Sequence, residues 1–160
     1  MGTPAPRRWE LLEDVAARLD AAGVPRPEVD ARWLVDAMVE RFGPDLVGCD
    51  AAVLDALVAR RAAREPLQLV LGRTTFRWVE VACRPGVFVP RPETEVVAGV
   101  AIDAARAAGP APRVLEPCTG SGAIACAVAS EVPRAQVVAT DHAAAAVDLA
   151  RDNAARLAAG

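Results

Sequence analysis

Lysine is absent from this 160-residue chain and histidine occurs once. All 18 basic residues are therefore arginine, which with the abundant alanine points to a coding bias toward GC-rich codons as much as to function. The lone His142 and four cysteines without a Cys-x-x-Cys pair leave too few ligands at metal spacing for a zinc site. Cys49, Cys83, Cys118 and Cys126 are expected as free thiols in a reducing compartment. No apolar run approaches the roughly 20 residues that a membrane-spanning helix needs. Arg7-Arg8 leads into the acidic, amphipathic Trp9-Glu10-Leu11-Leu12-Glu13-Asp14 and not into a signal-peptide core, so the expected location is cytoplasmic, with no membrane partner. A net charge of -3, with no basic tail and, apart from the Arg7-Arg8 pair, no arginine run beyond Arg60-Arg61 and Arg64, gives no support for direct nucleic-acid binding.

What is present is 53% hydrophobic and 24% charged, enough for one domain of ordinary size or two small ones. Its most informative stretch runs Arg113-Val114-Leu115-Glu116-Pro117-Cys118-Thr119-Gly120-Ser121-Gly122-Ala123-Ile124-Ala125, followed by Gln136-Val137-Val138-Ala139-Thr140-Asp141. The pattern reads as strand, glycine turn, helix, strand, with a carboxylate closing each strand. Gly120 and Gly122 let the backbone approach a ligand, and the next helix points its unpaired N–H groups at the same place. Asp141 lies about 20 residues beyond the turn, where an acid at the end of a second strand can accept both hydroxyls of a ribose.

Two nucleoside cofactors fit that spacing. Gly120-Ser121-Gly122-Ala123-Ile124-Ala125 matches the dinucleotide pattern G-x-G-x-x-G/A, by itself a weak signal. Glu116, just before the turn, would repel a pyrophosphate but suits a cationic ligand carrying an amine and a sulfonium, and so favours S-adenosylmethionine. A glycine turn without a ligand is the third possibility.

The chain changes character near residue 65. Before it, helices are expected over 8–22, 27–41 and 51–64, with Gly23 stopping the first, Pro27 opening the second and Asp50 capping the third. In the second, Val29, Trp33, Leu34, Ala37 and Met38 recur at helical spacing and are expected in the core. Strand-forming residues fill 75–89, where Phe76, Trp78, Val79 and Val81, then Val87, Phe88 and Val89, predict a hairpin turning at Arg84-Pro85-Gly86. Pro92 and Glu93 then start a helix to about residue 108. Strand 113–116, helix 122–130, strand 136–140 and helix 144–158 open a doubly wound parallel sheet, one strand of which would keep an unpaired edge. His142 has an ordinary reading as a solvated turn residue. Glu93 and Glu95 have a structural one as acids in the first turn of a helix.

The order of Gly72-Arg73-Thr74-Thr75-Phe76-Arg77-Trp78, a short hairpin, Pro85-Gly86-Val87-Phe88-Val89-Pro90-Arg91-Pro92-Glu93-Thr94-Glu95 and the glycine turn resembles the release factor glutamine methyltransferase family. The Pro-Arg-Pro-Glu-Thr-Glu segment is far more specific than the glycine turn. The match covers essentially the whole chain, weakly over the first 64 residues and strongly from Pro66 onward. The resemblance implies an α/β protein in three parts: a helical substrate-recognition domain over 1–72, a β-hairpin linker over 73–90 and an incomplete Rossmann-like methyltransferase domain over 91–160. It implies S-adenosylmethionine as cofactor and a class I peptide chain release factor as protein partner, methylated at the glutamine of Gly-Gly-Gln. Glu116, Cys118, Thr119, Gly120, Ser121, Gly122 and Asp141 would bind the cofactor, and Arg91, Pro92, Glu93 and Thr94 would form a wall of its pocket. Two departures stand out. Glu116-Pro117 occupies the place of the family's usual Asp-Leu, and the catalytic Asn-Pro-Pro-Tyr segment occurs nowhere in these 160 residues. The expectation is the amino-terminal part of such an enzyme, with no catalytic residue in this chain and no activity alone. A dinucleotide-dependent oxidoreductase fragment and a noncatalytic helical adaptor with a decayed methyltransferase half are the alternatives.

Overall fold

A computed structural model describes residues 7–159. The chain divides into two compact units, Met1–Leu71 and Gly72–Gly160.

Among the described residues the first unit holds four helices: α1 (Arg8–Ala21), α2 (Pro27–Phe42), α3 (Ala51–Ala62) and α4 (Leu67–Leu71). Helix α1 stops at Gly23, whose φ of 68° lets the chain turn back so that the Gly23 and Val24 amides donate to the Asp20 and Leu19 carbonyls at 2.7 and 2.9 Å. Buried Val24 and Leu19 supply the apolar contact that accompanies this cap. Pro27 sits at the first position of α2, where its missing N–H costs nothing. Asp50 caps α3 by accepting from the Ala52 amide at 2.9 Å. Helix α3 ends two residues earlier than expected, because Arg64 adopts a left-handed φ of 69° and closes a cap of the same kind without glycine. The five-residue α4, after Pro66, is too short to leave a period in the sequence.

The α2 stripe requires a correction. Leu34 and Met38 are buried, but Val29 and Trp33 are 46% and 52% exposed. The buried face is Ala31, Leu34, Val35 and Met38, an unbroken i, i+3, i+4, i+7 set. Val29 and Trp33 form a second, two-residue stripe that periodicity does not distinguish from the first. The buried set joins Val15, Leu19, Leu46, Leu54, Val58 and Val70 in one core. Beside it Arg61 Nε meets Asp30 Oδ2 at 2.6 Å, both side chains largely buried.

The second unit contains β1 (Arg73–Phe76), β2 (Val79–Ala82), α5 (Pro92–Ala107), β3 (Arg113–Pro117), α6 (Ala123–Glu131), β4 (Gln136–Thr140) and α7 (Ala144–Ala159). The hairpin is also corrected. Strands β1 and β2 pair antiparallel with Phe76 opposite Val79, so the turn is Arg77-Trp78 and Val87-Phe88-Val89 is not a strand. Arg77 takes the left-handed φ of 51° that glycine or asparagine normally announces. Its guanidinium is held at that place by Glu131 at the end of α6, at 2.5 and 3.0 Å. Trp78, expected on a strand, is at the turn and 78% exposed.

Phe76, Val79 and Val81 pack with Ala98 and Ile102 of α5 and with Cys126, Ala127 and Val128 of α6. Strands β3 and β4 run parallel, Glu116 opposite Ala139, and make a two-stranded sheet separate from the hairpin. On one face of this sheet Leu115 and Val138, directly opposed, remain 68% and 55% exposed. Helix α7 presses on the glycine turn so closely that a Cβ on Gly122 would lie 3.0 Å from the Ala150 Cβ. No described helix is long and apolar enough to cross a membrane.

The two stripes of α2 separate in a stability measurement. Leu34→Ala should cost about 2–5 kcal/mol by opening a cavity, whereas Trp33→Ala should stay within about 1 kcal/mol. Urea unfolding of both variants checks the assignment, and a larger loss from Trp33→Ala would return the tryptophan to the core.

Candidate functional site

The site is built where β3 and β4 end side by side. One further bond, from the Thr119 amide to the Thr140 carbonyl at 2.9 Å, ties the start of the turn to the end of β4. The chain then needs positive φ at Cys118, Gly120 and Gly122, at 59°, 57° and 78°. For the glycines this is free. For Cys118 a left-handed backbone costs roughly 1–2 kcal/mol, and its thiol stands exposed at the turn.

The two strand-end carboxylates grip this turn from different sides. Glu116 Oε2 accepts from the Thr119 hydroxyl at 2.7 Å and from the Ala125 amide, in the first turn of α6, at 3.0 Å. Asp141 Oδ2 accepts from the Gly120 amide at 2.9 Å, and its Oδ1 from the Ala143 amide at 3.0 Å. Their electrostatics diverge. Burial pushes the Glu116 carboxyl above the usual glutamate range, and its hydroxyl and amide donors only partly offset this. The Ala143 amide, followed by that of Gly120, holds Asp141 below the usual aspartate range. The Cys126 thiol rises to about 11 through burial and, secondarily, the Glu116 charge.

A cavity of about 310 Å³ opens between the turn and the segment before α5, within the size range of small-ligand sites. Glu116, Cys118, Thr119, Gly120, Ser121, Asp141 and Thr94 all line it. Gly122 belongs to the same turn but faces α7. Arg91, Pro92 and Glu93 are not among the lining residues: all three are exposed, and the Arg91 guanidinium lies 5.4 Å from the centre of the Phe88 ring. The wall is made instead by Gly86, Val87, Phe88 and Pro90, just upstream, and by Ala143 and Ala146 beyond Asp141. The signal for these was present in the sequence, since Val87-Phe88 abuts the Pro-Arg-Pro segment, but an apolar pair there reads first as a strand. His142 is 95% exposed, with Nδ1 3.5 Å from Asp141 Oδ1.

A larger groove of about 720 Å³ runs between α6, β4 and α7. Alanine and valine line most of it and neither strand-end carboxylate does, so the two acids belong to the smaller cavity. Among the described residues no group of three or more His, Cys, Asp or Glu is placed to hold a metal ion.

Helices with a parallel strand pair, a glycine turn between them and two acids converging on that turn define an α/β protein with a cavity of small-ligand size at the strand ends. Comparison with known proteins gives the family. A release factor glutamine methyltransferase of Streptomyces coelicolor is 50% identical over 139 residues, covering 82% of this chain and 50% of that protein. Proteins of the same name from Deinococcus radiodurans and Mycolicibacterium smegmatis are 40% and 39% identical over 158 and 153 residues, 91% and 90% of this chain. No protein-family profile matches. By sequence the chain belongs to the release factor glutamine methyltransferase family, and it spans about half the length of the curated relatives it matches.

The raised Glu116 fixes the sign of a pH effect. The folded state holds this proton more tightly than the unfolded chain, so between the ordinary value of 4.5 and the higher folded value stability falls as pH rises. Glu116→Gln removes that contribution. Urea unfolding of parent and variant from pH 4 to 7 should show the variant gaining on the parent as pH increases, and parallel curves would contradict the assignment.

Proposed function

We propose that this chain carries the S-adenosylmethionine-binding part of a protein (glutamine-N5) methyltransferase that modifies the Gly-Gly-Gln glutamine of class I peptide chain release factors, a cytoplasmic reaction of translation termination. The names of the relatives support the reaction class. The observation that carries the cofactor is Glu116: a half-buried carboxylate on the cavity wall, which accepts from the Thr119 hydroxyl and the Ala125 amide. Such a group is costly to ionise until a cation arrives, so it selects for the amine and sulfonium of S-adenosylmethionine and against a pyrophosphate. We read the parallel pair β3–β4 with α6 and α7 as the first part of a Rossmann-like sheet, the setting in which such cofactors are bound at strand ends.

In this reading the turn from Cys118 to Gly122 surrounds the methionine portion. Asp141 spends one lone pair of each oxygen on backbone amides and retains the others for two ribose hydroxyls. Val87, Phe88, Pro90 and Thr94 form the wall. Bound S-adenosylmethionine supplies a methyl group already activated on a sulfonium. The protein's remaining task is to orient an amide nitrogen whose lone pair is delocalised into its carbonyl, and to exclude water. The groups that the family resemblance implies for this, Asn-Pro-Pro-Tyr, are not in residues 1–160.

Titration calorimetry of the chain should give tighter binding of S-adenosylmethionine than of NAD, and the reverse order would favour a dinucleotide enzyme. Asp141→Ala should weaken S-adenosylmethionine binding by roughly 10- to 100-fold through loss of a charge-assisted acceptor. Unchanged affinity would remove Asp141 from the site. Radiolabelled methyl transfer to a release factor should be absent with the 160-residue chain and present with a longer one containing Asn-Pro-Pro-Tyr. Equal turnover by both would place the chemistry within residues 1–160.

A further inference from the structure

Asn153 lies in the middle of α7, is 2% exposed and uses three hydrogen-bonding positions of its amide. Its Oδ1 accepts from the Ala82 N–H at 2.8 Å, and its Nδ2 donates to the Ala82 carbonyl at 3.2 Å and to the Ser121 carbonyl at 2.9 Å. The partners fix the orientation of the side chain, because one N–H and two carbonyls are satisfied only with oxygen and nitrogen placed this way. Asn153 thus joins the end of β2, the middle of α7 and the glycine turn at one buried point.

Its effect on the turn is specific. The peptide between Ser121 and Gly122 has its carbonyl on Asn153 and its N–H on the Thr119 carbonyl at 2.9 Å, so both ends of that plane are held. Gly122 follows with a φ of 78°, and α6 begins directly after it. The unpaired amides at the start of α6 are aimed by this one peptide plane. A second contact acts on the same spot: Ala150, three residues before Asn153 on α7, leaves no room for a Cβ on Gly122. Helix α7 therefore holds the turn by a hydrogen bond and by steric contact together.

We propose that Asn153 is a positioning residue for cofactor binding, which sets the Ser121–Gly122 peptide so that the turn is shaped for its ligand before the ligand arrives. The proposal rests on the S-adenosylmethionine reading of the cavity for its functional consequence, and on the hydrogen-bond geometry alone for its structural part.

The test compares Asn153→Leu, similar in size but unable to hold the peptide, with Ile102→Ala, which opens a cavity in the α5 core at a residue that does not itself line the pocket. Both are assayed at a temperature where circular dichroism shows full folding. Asn153→Leu should raise the S-adenosylmethionine dissociation constant tenfold or more, and Ile102→Ala less than twofold. Losses of affinity that follow the loss of stability in both variants would make Asn153 merely structural. Hydrogen exchange gives a readout independent of the ligand. The Gly122 and Cys126 amides should exchange at least tenfold faster in the Asn153 variant while the Val128 amide in the same helix is unchanged, whereas uniform acceleration would overturn the proposal. Should Asn153→Leu fail to fold, Asn153→Ala, which leaves space for water, takes its place in both measurements. A parent chain that binds no S-adenosylmethionine would sink the cofactor reading, and the exchange pattern would still decide the role of Asn153.

Discussion

Two parallel strands that end level with each other create a problem that the rest of the second unit answers. Past its last ladder bond the chain must leave β3, turn sharply and enter α6 without stranding its backbone N–H groups. The Thr119 amide is met by the Thr140 carbonyl, that of Gly120 by Asp141, that of Gly122 by the Thr119 carbonyl and that of Ala125 by Glu116. Each carboxylate thus comes from a strand end and closes on the turn, and the cavity is the space left in front of them.

The acids do the same mechanical work in different surroundings, and this separates their chemistry. Asp141 is fixed by two amides that favour its charge, so it stays an anion and a dependable acceptor. Burial raises the Glu116 carboxyl above its ordinary range, and its two donors only partly offset this. Neither behaviour follows from residue type: burial decides it for Glu116 and the backbone amides of Ala143 and Gly120 decide it for Asp141.

The Arg77–Glu131 pair shows the same dependence at the other end of α6. A carboxylate at a helix C-terminus faces the negative end of the dipole, and Arg77, with Arg106 at 3.3 Å, answers it. The pair also anchors a hairpin turn whose left-handed residue is an arginine. In the first unit, Arg61 with Asp30 places a charged contact at the margin of an otherwise apolar core, where low exposure makes the pairing obligatory.

Much of this was legible along the chain. Gly23, Pro27, Asp50 and Pro92 announced helix ends because caps and first turns are local chemistry, contained within four or five residues. The glycine turn and its two acids were legible because their spacing follows from strand and helix lengths. The sequence by itself determined these elements, their order and the family. Other features depended on contacts between distant segments, and only the tertiary structure decided them. The hairpin turn moved to Arg77 because Glu131, 54 residues away, stabilises it there. Trp33 was left outside the core because a four-residue stripe on the same helix buries more. Asn153 gave no sign in the sequence, since a polar residue on an alanine-rich helix becomes a clamp only when β2 and the glycine turn fold against it. Local signals survive in one dimension because their partners are neighbours, whereas these choices were made by partners that meet only in three.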